Sequence, residues 1–264
     1  MFFKDKIVWI TGASSGIGEA LAKAFAMQGA KLVLSARRME ELERVMKECN
    51  LSNENCLILP LDLQNLENLE TLTKTVIAKF SRIDVLINNG GISQRSLATE
   101  TAIEIDRKIM EINFFGQVAL TKSVLPILLN QKAGHIVVVS SISGKFGFWL
   151  RSTYSASKHA LHGFFDSLRL ETEANGIKIL IAVPGKIQSN ISVHALKSDG
   201  SKHNKMDHSH KQGMPAEQCA TIILNAIKNN KEEILIGGGE TKAVWLKRYF
   251  PKWFGMLIRK QAKE

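Results

Sequence analysis

The feature that most constrains the fold is an alternation. A short apolar run, Ile7-Val8-Trp9-Ile10, breaks into Thr11-Gly12-Ala13-Ser14-Ser15-Gly16-Ile17-Gly18 and then into helical periodicity over Glu19–Gln28. The order repeats. Strands are expected at Lys31–Ser35, Cys56–Leu59, Ile83–Asn88, His135–Val139 and Ile177–Val183. Helices are expected at Met39–Cys49, Leu66–Phe80, Ala102–Leu129 and Thr153–Ala174. After Pro184-Gly185 the pattern lapses into a polar stretch, and it returns with a helix over Pro215–Asn229 and a seventh strand at Glu233–Ile236. Strands that are apolar almost throughout and alternate with helices imply a parallel sheet covered on both faces. Right-handed crossovers then leave a doubly wound α/β topology.

The 264 residues suit one large domain, here 1–240, with 185–214 as a segment that closes over a ligand and 241–264 as an extension. A long irregular stretch after a strand's C-terminus lies where such sheets bind ligands. The three cysteines, Cys49, Cys56 and Cys219, are too scattered for a disulfide framework or a zinc site, so a reducing compartment is the default. The start, Met1-Phe2-Phe3-Lys4-Asp5-Lys6, fits neither a signal nor a transit peptide, and no run reaches a membrane span. A cytoplasmic protein is therefore expected. The net charge of +10 is uneven: 241–264 carries seven Lys/Arg against Glu264, and the remainder is only mildly basic. A nucleic-acid binder would need a basic stripe across the fold, so that class is discounted. The histidines of the irregular stretch, His194, His203, His208 and His210, lack the acidic and thiolate partners of a closed metal site, and no metal is expected.

The turn after the first strand has glycines at 12, 16 and 18. Without Cβ atoms, backbone N–H groups and a helix N-terminus can approach a pyrophosphate. The second strand ends in Ser35-Ala36-Arg37-Arg38, where an Asp or Glu would grip a ribose 2′-hydroxyl. Two guanidiniums there favour a 2′-phosphate, hence NADP(H). Asp62 can accept from an adenine amino group, cap the following helix, or do both.

Tyr154 and Lys158 lie four apart on a helical stretch and so share one face. A phenol has an ordinary pKa of ~10, and an ammonium beside it should favour the phenolate and lower that value. The pair reads as a proton donor and acceptor usable at cellular pH.

Together, Thr11 to Gly18, Asn88-Asn89-Gly90, Asn113, Ser141, Tyr154-x-x-x-Lys158 and Pro184-Gly185 resemble the short-chain dehydrogenase/reductases, over roughly residues 5–238. The resemblance implies a single-domain Rossmann-type sheet of seven strands. It makes Tyr154 the general acid/base and gives Lys158 the nicotinamide ribose and the lowering of the Tyr154 pKa. Ser141 would bond the reacting oxygen, with Ser140 an adjacent candidate, and Asn113 would anchor a water that relays protons to Lys158. Gly12, Ser14, Ser15, Gly16, Ile17 and Gly18 would hold the pyrophosphate, Arg37 and Arg38 the 2′-phosphate, and Asp62 and Leu63 the adenine. Asn88 and Gly90 would meet the ribose side. Pro184, Gly185, Ile187 and Ser189 look like the family's P-G-x-V-x-T, with Ile187 and Ser189 at the carboxamide. Gly90 stands where the family often has Ala, and Ser189 where it usually has Thr.

Ile191 to Ala195, Asp199-Gly200-Ser201 and Met206-Asp207 look like a narrower subgroup, membrane-associated reductases of lipid-like ketones such as acyl dihydroxyacetone phosphate, and of steroids and retinoids. The expected activity is NADPH-dependent reduction of a ketone or aldehyde of a lipophilic or medium-sized substrate. The alternatives are an NAD(P)-dependent alcohol or hydroxysteroid dehydrogenase working oxidatively, and a non-catalytic dinucleotide sensor. The helices at 102–129 and 153–174 are apolar enough to build a homodimer or homotetramer. In 241–264, Trp245, Tyr249, Phe250, Trp253 and Phe254 interleave with Lys/Arg, which suits contact with a membrane surface, and equally a tail that folds over the substrate cleft, packs on the body or makes a subunit contact.

Overall fold

A computed structural model describes residues 1–207 and 211–261. Seven strands form one parallel sheet: β1 Ile7–Thr11, β2 Lys31–Ser35, β3 Cys56–Ile58, β4 Val85–Asn88, β5 Gly134–Val139, β6 Ile177–Pro184 and β7 Glu233–Ile236. Their spatial order is β3-β2-β1-β4-β5-β6-β7. Strand order reverses between β1 and β4, and the crevice beyond the carboxyl ends of those strands is where a sheet of this kind takes its ligand.

The helices are α1 Gly16–Met27, α2 Met39–Glu48, α3 Leu69–Phe80, α4 Ile103–Met110, α5 Gly116–Gln131, α6 Ser152–Thr172, α7 Ala216–Lys228, α8 Lys242–Tyr249 and α9 Pro251–Gln261. Successive strand residues point to opposite faces. Thus Val8 and Ile10 of β1 pack under α1, α2 and α7 with Leu21, Phe25, Leu42 and Ile223. Ile7 and Trp9 pack the other way, with Val76, Leu120, Val124 and Phe165 of α3, α5 and α6. Both faces are covered, which is why the strands read as unbroken apolar runs.

Four expectations need correcting. The helix expected from Leu66 begins at Leu69, because Asn65 and Asp62 hold the preceding turns with their own side chains: Glu67 N–H donates to Asn65 Oδ1 at 3.2 Å and Gln64 N–H to Asp62 Oδ1 at 3.0 Å. Asp62 therefore does not cap α3, whose N-cap is Asn68. The helix expected over 102–129 runs from 103 to 131 and is broken by a π-helical turn, Glu111–Phe115, between α4 and α5. That run is long and apolar enough to cross a membrane, contrary to the expectation that none would be, yet half of its most apolar window is buried inside the fold. Its apolarity is that of a core helix.

The extension does not trail away. A turn at Gly239–Thr241 leads into α8, and α9 returns to the body, where Phe254 is buried with its ring 4.9 Å from that of Phe146. Lys247 Nζ donates to the Lys145 carbonyl at 2.7 Å.

Candidate active site

The catalytic helix is set by a neighbour with no signature in the sequence. α6 begins after Arg151 with no side-chain cap of its own, so its first N–H groups need partners. Gln94, fully buried, supplies them: its Oε1 accepts from Thr153 N–H at 2.9 Å and Tyr154 N–H at 3.2 Å. Thr153 Oγ1 also donates to Asp106 Oδ1. The first turn of α6 is thereby fixed, and with it the backbone that carries Tyr154.

Tyr154 is buried on the wall of a cleft of about 1010 Å³. Ser141, just past the end of β5, hydrogen-bonds the Tyr154 hydroxyl and lines the same cleft. Ser140 is engaged elsewhere: its Oγ hydrogen-bonds His162 Nε2 at 2.9 Å and donates to the Lys158 carbonyl at 3.3 Å. Of the two serines, Ser141 is thus the one on the phenol.

Lys158 is also buried, and its Nζ donates to the Val139 carbonyl at 2.8 Å. Burial pulls its pKa down to about 8. Here the sequence expectation is corrected. Burial pushes the Tyr154 pKa up, and the groups that pull against it are the Arg151 charge and the Ser141 hydrogen bond. Lys158 stands over the ring, 5.9 Å from its centroid, and is not among those groups. Arg151 shares the Asp207 carboxylate with Arg95, at 2.7 and 2.6 Å, and all three residues line the cleft. Neither arginine was legible as part of the site, because the grouping joins distant segments through Asp207.

Asn113 sits in the π-helical turn, a feature that recurs at functional sites. Its Oδ1 accepts from Ile92 N–H at 2.8 Å, and its Nδ2 donates to the Ile92 carbonyl at 2.8 Å and to Ser157 Oγ at 3.1 Å. Asn113 Oδ1 and Lys158 Nζ lie 3.0 and 3.8 Å from the point where a Cβ on Gly91 would stand. A side chain at 91 would fill the space between them.

The glycine turn forms a cradle. No side-chain bond caps α1 at Ser15, and the first N–H groups of a helix have no partner within it. Gly16 has φ +56°, and its missing Cβ leaves 3.2 Å to Ser189 Cβ across the cleft. A Cβ on Gly18 would stand 2.2 Å from the Gly12 carbonyl oxygen. Both positions need glycine, one for its backbone angle and one for close approach. A dinucleotide pyrophosphate fits this arrangement of bare backbone at a helix start. Ser14 is buried in the turn, and Ile17, Pro184, Gly185, Ile187 and Ser189 line the cleft.

Other expected cofactor positions are dispersed. Arg37 and Arg38 are both exposed, beyond the end of β2. Their charges, with that of Lys202, act after burial to hold the His194 pKa down, so the irregular stretch brings further basic groups toward this corner. Asp62 is exposed, with one oxygen on Gln64 N–H. Leu63 is buried, and its Cδ1 would lie 2.8 Å from a Cβ on Gly90, a contact that a small turn of the Leu63 side chain would relieve. Asn88 differs most from expectation: its side chain is fully buried, with Nδ2 donating to Thr121 Oγ1 at 2.8 Å, and it faces the body of the fold. Asn89 and Gly91 line the cleft in its place. Asn89 Nδ2 also donates to the Thr11 carbonyl at 2.9 Å, tying this turn to β1.

His208 and His210 lie outside the described residues. Among the described residues no group of three or more His, Cys, Asp or Glu could hold a metal ion.

Comparison with known proteins accords with this geometry. Residues 6–199 match the short chain dehydrogenase family. The chain is 44% identical over 268 residues to human dehydrogenase/reductase SDR family member 7, covering 98% of this chain and 78% of that one. It is 42% identical over 265 residues to an Anopheles gambiae SDR family protein 7-like dehydrogenase/reductase, covering 98% and 84%. Among solved structures, a Streptomyces avermitilis short-chain dehydrogenase superposes with a TM-score of 0.81 at 26% identity, covering 98% and 97%.

Proposed function

The chain belongs to the short-chain dehydrogenase family, an oxidoreductase family that binds a nicotinamide dinucleotide, and from that premise we propose that it reduces a ketone or aldehyde to an alcohol with NADPH. The observation that carries the reading is the buried Tyr154 hydroxyl, bonded to Ser141, in a cleft that the glycine turn also borders through Ile17. A reduced nicotinamide supplies the hydride when bound in this cleft. Tyr154 holds the proton that the developing alkoxide takes. Burial favours its neutral, proton-bearing form, while Arg151 and Ser141 limit the cost of losing that proton. Ser141 steadies the reacting oxygen as negative charge grows on it. Lys158 holds ribose hydroxyls and returns a proton toward Tyr154. Asn113 orients a water between its own Oδ1 and Lys158 Nζ, in the space that Gly91 leaves free.

The preference for NADPH rests on Arg37 and Arg38, with Lys202 and His194 close by and no carboxylate at the end of β2. Gly12 to Gly18 hold the pyrophosphate, Asp62 and Leu63 meet the adenine, and Asn89 and Gly91 replace Asn88 on the ribose side. Residues 1–240 form the binding and catalytic body, and 185–214 covers the substrate. Oxidation of an alcohol uses the same residues in reverse, and the cellular cofactor ratio decides the direction. A sensor without catalysis would not need Ser141, Tyr154 and Lys158 together. The test is NADPH consumption against a panel of ketones and aldehydes, long-chain and phosphorylated ones included. Turnover of none would reject the reading.

Two features support contacts beyond the monomer. Ile103 and Phe115, flanking and within the 103–131 run, and Leu170 of α6 are exposed apolar side chains on the helices suited to a homodimer or homotetramer. Light scattering of the purified chain tests this, and a monomer at micromolar concentration would reject it. On α8 and α9, Trp245, Trp253 and Met256 are exposed beside Lys252, Arg259 and Lys260, a composition that suits a lipid surface. Co-sedimentation with anionic vesicles should be lost on truncation after Gly239. Equal sedimentation of both forms would reject the contact.

A further inference from the structure

A second cavity, of about 580 Å³, lies between α8, α9 and the segment that follows β5. Its volume falls in the range of small-molecule sites, and its walls are chiefly apolar: Phe146 and Phe148 on one side, Ala243, Leu246 and Leu257 on the other. The nearest carboxylate, Glu240, is committed, with Oε1 accepting from Lys186 N–H at 2.9 Å. Such a space recognises its occupant by burial of apolar surface, which is non-directional.

Its position gives it a role. Ile142, Phe148, Lys186 and Ile258 line both this cavity and the cleft that holds Ser141 and Tyr154. The two spaces abut across these four side chains. A molecule with its carbonyl at Tyr154 enters the second cavity only by passing them, which suits a flexible chain one methylene wide better than a rigid ring system. Ile258 is on α9, so the extension forms part of the boundary. Phe254, one turn earlier, anchors that helix on Phe146, itself a wall of the cavity.

We propose that this cavity is an annex of the substrate site and takes the linear alkyl chain of a long-chain carbonyl compound, with the carbonyl at Tyr154 and the chain running past Ile258 between α8 and the Phe146–Phe148 wall. The proposal rests on the reductase reading above and adds the substrate class. α8 and α9 thereby become specificity elements.

The test is a series of 2-alkanones, from 2-butanone through 2-octanone to 2-dodecanone, reduced with NADPH by the full chain. Each methylene buried in the annex raises kcat/KM about fourfold until the space is filled. Ala243→Phe, which fills the annex, removes that gain and leaves 2-butanone unchanged. A flat series in the wild-type chain, or an equal gain in a folded Ala243→Phe, overturns the proposal. Should Ala243→Phe not fold, Leu246→Ala serves: it lowers kcat/KM for 2-dodecanone at least fivefold and spares 2-butanone, and loss on both or neither overturns the proposal. A binding measurement separates this claim from the reductase reading. If no alkanone is turned over, the linear fluorescent polyene cis-parinaric acid still binds the wild-type chain but not Ala243→Phe, and 2-dodecanone but not 2-butanone displaces it. In that case the annex stands and the reductase reading falls; no displacement removes the annex itself.

Discussion

The Lys158 ammonium stands 5.9 Å from the centroid of the Tyr154 ring, above its face, and spends a hydrogen bond on the Val139 carbonyl. The two residues share a helix face as their spacing requires, but both are buried, and burial moves each toward its neutral form. The pair is therefore poised by desolvation, with Arg151 and Ser141 working against it on the phenol.

A pH dependence follows. Lys158 is charged below about 8 and neutral above it. Cofactor affinity that needs the ammonium falls as pH rises through about 8, and titration of NADPH binding from pH 6.5 to 9.5 reads this. Stability runs the other way. Between about 8 and the ordinary lysine range the unfolded chain holds a proton that the folded chain lacks, so this group's contribution to stability rises with pH across that window. Lys158→Met should melt higher than wild type at pH 7, with the gap narrowing toward pH 10. A constant gap would contradict the assignment.

Replacing both Arg37 and Arg38 with Ala removes the charged partners of a 2′-phosphate. NADPH affinity should fall about tenfold or more, while NADH affinity changes little. Equal loss for both cofactors would place the arginines elsewhere.

Gln94 acts through Tyr154. Gln94→Leu leaves two N–H groups at the buried start of α6 without their acceptor, at about 1–3 kcal/mol. Thermal unfolding should show that loss. The kcat should drop with NADPH affinity preserved, whereas a purely structural role would lower neither kcat nor affinity selectively in the remaining folded protein.

Gly18→Ala drives a methyl into the Gly12 carbonyl, 2.2 Å away, with backbone on both sides of the clash. Cofactor binding should be abolished by calorimetry, with a melting temperature below that of wild type. Wild-type affinity in this variant would mean the turn is not the cradle.

Much of the fold was legible because the burial pattern is simple. β2 and β7 begin and end where the apolar runs do, and the glycine turn stands at the start of α1. What was not legible depends on particular side chains. The π-helical turn around Asn113 adds one residue to a stretch already apolar on several sides, so no break in periodicity marks it. Asp62 looks like a cap and instead, with Asn65, holds the turns before α3. Gln94, Arg95, Arg151 and Asp207 meet only after folding brings the 93–96 segment, the start of α6 and the irregular stretch together. Asn88 was expected at the cofactor from its place in the Asn88-Asn89-Gly90 motif, but it is fully buried at the end of β4, and its neighbour Asn89 lines the cleft.

The central claim is that the Tyr154 hydroxyl donates the proton in carbonyl reduction, and Tyr154→Phe tests it most directly. The change deletes one buried oxygen and keeps the ring against Lys158. With NADPH binding measured by fluorescence and turnover by NADPH consumption on one accepted ketone, affinity should stay within about threefold of wild type while kcat falls about 10²- to 10⁴-fold. Turnover near the wild-type rate would contradict the account.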